Sequence, residues 1–454
     1  MTEFAVDSRP PAERLEAGKA LRKQVARSAH AAWRPAVDRA DPIAVLRANS
    51  RGRLKELLPI RWGRMLASPF AFLRGAAAVM ATDLAPTPVT GLRVQAGGDC
   101  HLANFGGFAT PERHLVFDVN DFDETLPAPW EWDLKRLAAS VVVAGRHAGI
   151  SDKAAAASAQ AAVRSYREMM IDLAGRRALD VWYARLDFET LVRGARDPLE
   201  RRVAGVVRQA RRRTMLRAFP KLVEMSGGAP RIKDDPPLIF HSHARNGVEA
   251  DARAFLRRFR KTLTPECRVI FDRFRLVDVA MKVVGVGSVG TRCAVALLQA
   301  ADDDPLFLQI KEARPSVLEP FAGKSPYSNQ GERVVRGQHL MQSASDIFLG
   351  WSRDDKGRDY YCRQLRDIKV SIVLDGMTAV ELTEYAGFCG RALARAHARS
   401  GDAATLAGYM GGNDVFDRAV AKLAVAYADQ TERDYEALQK AVKAGRLRAS
   451  VEKG

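Results

Sequence analysis

Two neighbouring stretches hold the residue types that move a phosphoryl group. The first, Gly97–Gly107 (GGDCHLANFGG), is a loop by its glycines and carries Asp99, His101 and Asn104. The second, Leu115–Glu124 (LVFDVNDFDE), is an apolar run that ends in the carboxylates Asp118, Asp121 and Asp123. Phosphoryl transfer needs an acid to orient or deprotonate the attacking hydroxyl. It also needs an amide oxygen and a further carboxylate to hold metal beside the phosphates. The two segments supply all three in a workable order. A single Asp or Asn beside Gly more often caps a turn. Eight Asp, Asn and His residues between Asp99 and Asp123, interleaved with strand-type apolar residues, weigh against that explanation for the set.

GDCHLANF resembles the catalytic loop of the protein-kinase-like superfamily in its aminoglycoside-phosphotransferase and fructosamine-kinase form, where Gly-Asp-x-His-x-x-Asn precedes a strand ending in a metal-binding Asp. The resemblance implies a catalytic loop with Asp99 as acid/base beside His101, Asn104 as a metal ligand and Asp118 as the main metal ligand, with Asp121 and Asp123 as substitutes or second-metal ligands. PWEWDLKRLA (Pro129–Ala138) resembles the helix start that buttresses such a loop, with Asp133 at the matching position. Nearly the whole chain also resembles an uncharacterised bacterial family, domain-of-unknown-function family 2252. The shared stretches are GDCHLANFG, FDVNDFDE, WEWDLKRLA, VVGVGSVGTR, GQHLMQSASDIFLGW and YADQ.

A second set of residues follows about 180 positions later. In Val277–Gln299, two apolar runs flank Gly285, Gly287, Ser288 and Gly290. Glycines at this spacing let backbone N–H groups approach phosphate oxygens. A dinucleotide fold would need the third glycine to open a helix and an acid to end the next strand. Here Asp302–Asp304 fall in a turn before the next strand, LFLQIKEA, and that strand instead carries Lys311. A glycine loop between strands followed by a strand lysine is the kinase-like arrangement. It implies Lys311 on the α/β-phosphates and a paired acid, for which Glu332 in the helical pattern Asn329–Leu349 is the candidate and Glu319 and Gln338 are alternatives. Without the glycine loop, Lys311 would read as an ordinary edge-strand lysine. Tyr360–Leu365 (YYCRQL) reads as a strand leading to a hinge-like segment whose backbone could hold adenine.

The elements that must position these residues are mostly helical. Ser68 is the expected N-cap of a helix through SPFAFLRGAAAVMATDLA, and GLRVQA is a short strand feeding the first loop. From Asp133 to about Phe219 the pattern is helical almost throughout, with Ser151 and Gly175 bounding an Ala-rich helix and Arg201–Phe219 strongly basic. Residues 225–250 break that pattern. His241 and His243 could share a strand face there, but no third metal ligand is near. Further helices are expected at Ala252–Leu263, Glu381–Ser400 and Asp414–Lys443. HARSGD (His397–Asp402) mimics a catalytic loop but lacks the following Asn, and reads as a helix end at Gly401. The expected fold is α+β: a protein-kinase-like, two-lobed, circularly permuted fold with a mostly helical large lobe and a small antiparallel β-rich lobe. The divisions are a helical extension (1–60), a helical lobe with the catalytic-type loop and metal-binding strand (61–270), a β-rich nucleotide lobe (271–375) and C-terminal helices on the helical lobe (376–454). Permutation is implied because the catalytic-type loop precedes the nucleotide-lobe motifs, and such rearrangement is tolerated where termini lie close together.

With 454 residues and 47% hydrophobic composition the chain is long and apolar enough for a large core, which excludes a disordered protein. A net charge of +17 favours an anionic partner. The basic residues are spread along the chain, so nucleic acid is a weak inference. Five cysteines, odd in number and without paired spacing, show no zinc pattern and argue against a disulfide framework. No signal peptide or membrane span is expected, and a cytoplasmic location fits. The function expected is transfer from ATP, with Mg²⁺, to a hydroxyl of an unidentified small molecule or protein. The rivals are AMP transfer on the same fold and a non-catalytic nucleotide- or nucleic-acid-binding regulator.

Overall fold

The computed structural model describes residues 7–211, 219, 222–241, 248–301, 304–365 and 369–450. The chain is α+β with antiparallel sheets. Its helical body is built on Trp130–His147, which is buried on nearly every side, as a helix at the centre of a bundle must be. Around it pack Asp152–Ala174, Ala379–Ala398 and Val415–Lys443. Small residues set the spacing. A Cβ on Gly390 would stand 2.1 Å from the Ala162 carbonyl oxygen, so only glycine lets those two helices approach so closely. Ser151 caps the Asp152 helix through the Ala154 N–H, and Thr378 with Glu381 forms a full capping box.

The strands in chain order are β1 (Arg93–Ala96), β2 (Phe105–Ala109), β3 (Leu115–Val119), β4 (Leu126–Pro129), β5 (Val223–Ser226), β6 (Ala229–Ile232), β7 (Ile239–Phe240), β8 (Arg275–Lys282), β9 (Cys293–Gln299), β10 (Pro305–Glu312), β11 (Gly350–Arg353), β12 (Asp359–Gln364) and β13 (Lys369–Val370). Six of them form an antiparallel sheet in the order β11-β12-β10-β9-β8-β7. Period-two alternation on β10 sorts its side chains. Leu306, Leu308 and Ile310 enter one core with Phe255 and Phe259, whereas Phe307 enters a second core on the opposite face. Lys311 therefore shares the Phe307 face. The loop carrying Gly285 and Gly287 joins β8 to β9, which pair antiparallel, so it is a strand–loop–strand unit. Helix Gln330–Met341 lies between β10 and β11 in the chain.

A shorter sheet, β13-β2-β3, and the pair β1-β4 hold the catalytic-type segments against the helical body. An N-terminal layer comprises Pro42–Asn49, Leu58–Met65, Pro69–Gly75 and Ala77–Leu84. It is tied to the last helix through Arg39, which bridges Asp83 and Asp434.

Several local expectations need correction. The helix expected after Ser68 is two helices broken at Ala76, whose φ −110° and ψ 29° leave the helical range. The Arg61 guanidinium takes the freed Gly75 carbonyl at 2.9 Å. The long helical stretch after Asp133 is interrupted at Gly149, whose φ is +76°. The helix expected to reach Leu349 stops at Met341, because Gln342 is extended (ψ 146°) and the Ser343 N–H is taken by Asp118. Within the basic stretch, the helix described is Asp197–Arg211. Positions 212–218, 220 and 221, His243, Asp302 and Asp303 lie outside the described residues. His241 is satisfied by Asp234 and Asp278. All five cysteines are free, and among the described residues no helix is long and apolar enough to cross a membrane.

Candidate functional site

The Gly97–Asn104 loop is fixed from below by the helix that follows it. Asp133, in that helix's first turn, accepts from the N–H groups of Gly97 (2.6 Å) and Gly98 (2.9 Å), and His397 Nε2 lies 3.1 Å from the same carboxylate. Gly98 has φ +78°, and a Cβ there would meet the Glu124 carbonyl oxygen at 2.4 Å, so glycine is required on two counts. Ser140 accepts from the Leu102 N–H, and the Tyr385 hydroxyl donates to the carbonyls of Leu102 and Phe105. Asn104 Nδ2 donates to the Asp99 carbonyl at 2.8 Å, which leaves Asn104 Oδ1 without a donor among the described residues. The Asn120 N–H bonds the Asn104 carbonyl at 2.8 Å and so registers the loop against the aspartate turn after β3.

Asp99 is half-buried and faces Arg136, whose Nε lies 2.5 Å from Oδ1. Burial raises its pKa to about 7 despite the opposing pull of Arg136, with Asp121 adding to the rise. His101 is buried, 3.9 Å from Asp99 Oδ2, with Nδ1 unpartnered among the described residues. Burial, then the charges of Arg136 and Arg74, push its pKa well down and keep the imidazole neutral.

The aspartates divide by role. Asp118, expected as the main metal ligand, is fully buried and accepts from Arg395 Nη2 at 2.6 and 2.8 Å and from the Ser343 N–H at 3.0 Å. Strand β3 is buried on both faces, and the Asp118 carboxylate is committed to a core ion pair rather than to the cleft. Asp121 and Asp123 line the cleft. Asp123 pairs with Lys311, accepts from the Tyr361 hydroxyl at 2.8 Å and from Ser288 Oγ at 3.1 Å. Burial opposes the Lys311 charge, but Asp121 and Asp123 outweigh it and hold the ammonium well above lysine's ordinary pKa. Glu332 is not its partner. It sits in the first turn of its helix, with its N–H capped by Asn329 and its carboxylate 3.4 Å from Arg336. The acid at Lys311 is Asp123.

The glycine loop lines the same cleft through Gly285, Gly287 and Ser288. Its carbonyls are drawn outward. Arg53 Nη1 donates to Gly287 (2.8 Å) and Val289 (2.7 Å), Arg61 to Gly287 (2.7 Å) and Arg64 to Gly285 (2.5 Å). Gly290 is outside the cleft, its carbonyl accepting from the Leu54 N–H at 2.7 Å. Among the described residues, no acceptor meets the N–H groups of Gly285, Val286, Gly287 or Ser288. Arg314 lines the cleft too and bonds only the carbonyls of Asn49 and Arg51. Arg53, Arg61 and Arg314 thus present positive charge without a carboxylate partner among the described residues. Burial, then Arg314, lowers the Arg53 pKa to about 10. Uncompensated guanidinium groups beside open N–H donors have the chemistry that attracts an anion.

The cleft therefore gathers Asp99, His101, Asn104, Asp121, Asp123, Gly285, Gly287 and Ser288, with Lys311 reaching it through Asp123. It leaves out Asp118, Gly290 and Glu332. Arg53, Arg61 and Arg74 line this cleft and were not expected from the sequence. They carry no motif, and the place of Arg53 and Arg61 depends on which loop carbonyls they reach. Among the described residues, no group of three or more His, Cys, Asp or Glu side chains is gathered closely enough to cage a metal. Mg²⁺ is commonly held by one or two carboxylates together with substrate phosphates and water. Asp121 and Asn104 Oδ1 have free oxygens for it.

The family model for uncharacterized proteins conserved in bacteria (DUF2252) matches residues 53–441. No curated protein and no solved structure matches the chain.

Proposed function

The chain belongs to the DUF2252 family, and we propose that it is a Mg·ATP-dependent phosphotransferase with a circularly permuted protein-kinase-like fold, acting on a hydroxyl of a small molecule or protein. One observation carries the reading. The glycine loop and the Asp99, Asn104 and Asp121 set bound one cleft, and Lys311 reaches it through Asp123. Phosphate-holding groups and metal carboxylates must act on the same phosphates, so they have to converge in this way. Further support comes from chain order within the six-stranded sheet. A glycine loop joins β8 to β9, Lys311 follows on β10, helix Gln330–Met341 comes later, and β11 and β12 complete the order, while the hinge-like segment expected after Leu365 falls on positions 366–368, outside the described residues.

The open N–H groups of the glycine loop suit the phosphates. A neighbouring cavity of about 430 Å³, lined by Val284, Asn120, Gln309 and Leu365, is large enough for a base and ribose. Two of its lining residues, Val284 and Asn120, are chain neighbours of the cleft residues Gly285 and Asp121. Asp121 with Asn104 would hold Mg²⁺, which supplies charge neutralisation on the phosphates. Asp99 accepts the proton of the acceptor hydroxyl, while Arg136 fixes the orientation of its carboxylate. His101, kept neutral, packs behind it.

The test is a thermal-shift titration with ATP, with and without Mg²⁺, followed by incubation with ATP labelled at the α- or γ-phosphate. Ligand bound to the folded state must raise apparent stability. The expected results are a Mg²⁺-dependent upward shift and transfer of the γ-label. Absence of any shift at millimolar nucleotide would sink the reading, and transfer of the α-label would replace it with AMP transfer.

A further inference from the structure

We infer that Arg74 is a catalytic residue of this cleft, contributed by the N-terminal layer, and that its guanidinium contacts the transferred phosphoryl group between Asp99 and Asp121. The inference rests on the phosphotransferase reading above. Arg74 lies at the end of helix Pro69–Gly75 and lines the cleft with Asp99, Asp121 and Gly287. Its backbone carbonyl is 3.3 Å from where a Gly287 Cβ would stand, so this helical turn abuts the glycine loop.

What sets Arg74 apart is the state of its side chain. Arg53, Arg61, Arg136 and Arg314 all spend their donors on protein carbonyls or on Asp99. Among the described residues, the Arg74 side chain makes no hydrogen bond and no ion pair, and its Nε is buried without an acceptor. Burial presses its pKa down, while Asp99 and Asp121 act to raise it. A guanidinium that is largely desolvated, unpartnered and flanked by two carboxylates is matched to an anion arriving between them.

The group that must sit there is the one in transit. In the step, the acceptor oxygen forms a bond to the γ-phosphorus and its proton passes to Asp99. The bond from that phosphorus to the β,γ-bridging oxygen breaks, and its electron pair leaves with ADP. Charge spreads over the equatorial oxygens in the transition state, where an arginine's planar donors act most strongly. Arg74 would then serve the reaction more than the binding of ground-state nucleotide.

The experiment compares wild type, Arg74→Gln and Arg74→Lys by thermal shift with Mg·ADP alone and with Mg·ADP plus aluminium fluoride, which mimics a phosphoryl group in transit. Mg·ADP should shift all three equally. Aluminium fluoride should add a further shift in wild type that is lost in Arg74→Gln and reduced in Arg74→Lys, which also covers the case in which the Gln variant does not fold. Where turnover is measurable, Arg74→Gln should lower kcat by about 10³–10⁵-fold with KM for ATP little changed. Equal responses to aluminium fluoride in wild type and variants, whether large or nil, would overturn the assignment while leaving the phosphotransferase reading intact. No response of wild type to any nucleotide would overturn both.

Discussion

Ser288 Oγ donates to Asp123 Oδ2 at 3.1 Å across 165 residues of chain, and this bond stitches the glycine loop to the aspartate turn. The same carboxylate carries Lys311 and the Tyr361 hydroxyl, so one side chain holds the sheet's strand β10, strand β12 and the loop in register. Replacing Lys311 by Met leaves that carboxylate without its cation and should destabilise the fold by about 3 kcal/mol, the low end for a broken buried pair because Asp123 is partly exposed. Ser288→Ala should cost only about 0.5–1.5 kcal/mol. Urea unfolding measures both, and near-equal losses would show that Lys311 is dispensable to the junction.

Asp118 and Asp121 should separate cleanly. Asp118→Ala strands the fully buried Arg395 and should cost about 3–5 kcal/mol. Asp121→Ala removes a cleft carboxylate and should leave the denaturation midpoint nearly unchanged while abolishing the Mg²⁺-dependent part of the ATP shift. If Asp121→Ala retained that part in full, the metal would have to be held elsewhere.

The pH dependence follows from Asp99. Burial raises its folded pKa to about 7, so below that value the carboxyl is protonated and cannot take the acceptor's proton. kcat/KM should therefore rise with pH through an acid limb near 7, and Asp99→Asn should remove about 10²–10⁴-fold of the rate. On stability the sign is opposite. A carboxyl with a raised folded pKa binds its proton more tightly when folded, so its contribution is greatest at low pH and is lost as pH rises from about 4 through about 7. An activity profile flat from pH 5 to 9 would exclude Asp99 as the base.

Asp133→Ala should act at a distance. It leaves the N–H groups of Gly97 and Gly98 without acceptors and removes the partner of His397 Nε2, while Nδ1 keeps the Tyr166 hydroxyl. A loss of about 2–4 kcal/mol is expected, since each buried orphan costs about 1–3 kcal/mol. Hydrogen exchange at Gly97 and Gly98 should quicken. Unchanged protection there would mean the loop is held without the carboxylate.

The loop, the aspartate segment, the glycine loop and Lys311 were legible because residue type and local spacing carry their signal. Which aspartate faces the cleft was not. Strand β3 is buried on both faces, so its sequence shows no alternation from which to read the direction of Asp118. The partner of Arg395 is settled only when helix Ala379–Ala398 docks. Glu332 misled for a related reason. Its helix, Gln330–Met341, is capped by Asn329, and Glu332 in the first turn faces Arg336, while Lys311 is taken by Asp123. The cleft arginines were hidden because they act through carbonyls of a distant loop, a relation that leaves no pattern in the chain.

The helical body also fixes when the molecule can fold during its synthesis. Trp130–His147 and Asp152–Ala174 leave the ribosome early, but their apolar faces are covered by Ala379–Ala398 and Val415–Lys443. At about 5–20 residues per second, translation from the end of one pair to the start of the last helix takes roughly 10–50 s. Throughout that interval the nascent chain displays alanine- and valine-lined helices without their cover. Burial of those faces therefore waits on the final helix, and a pause in translation within that window prolongs their exposure.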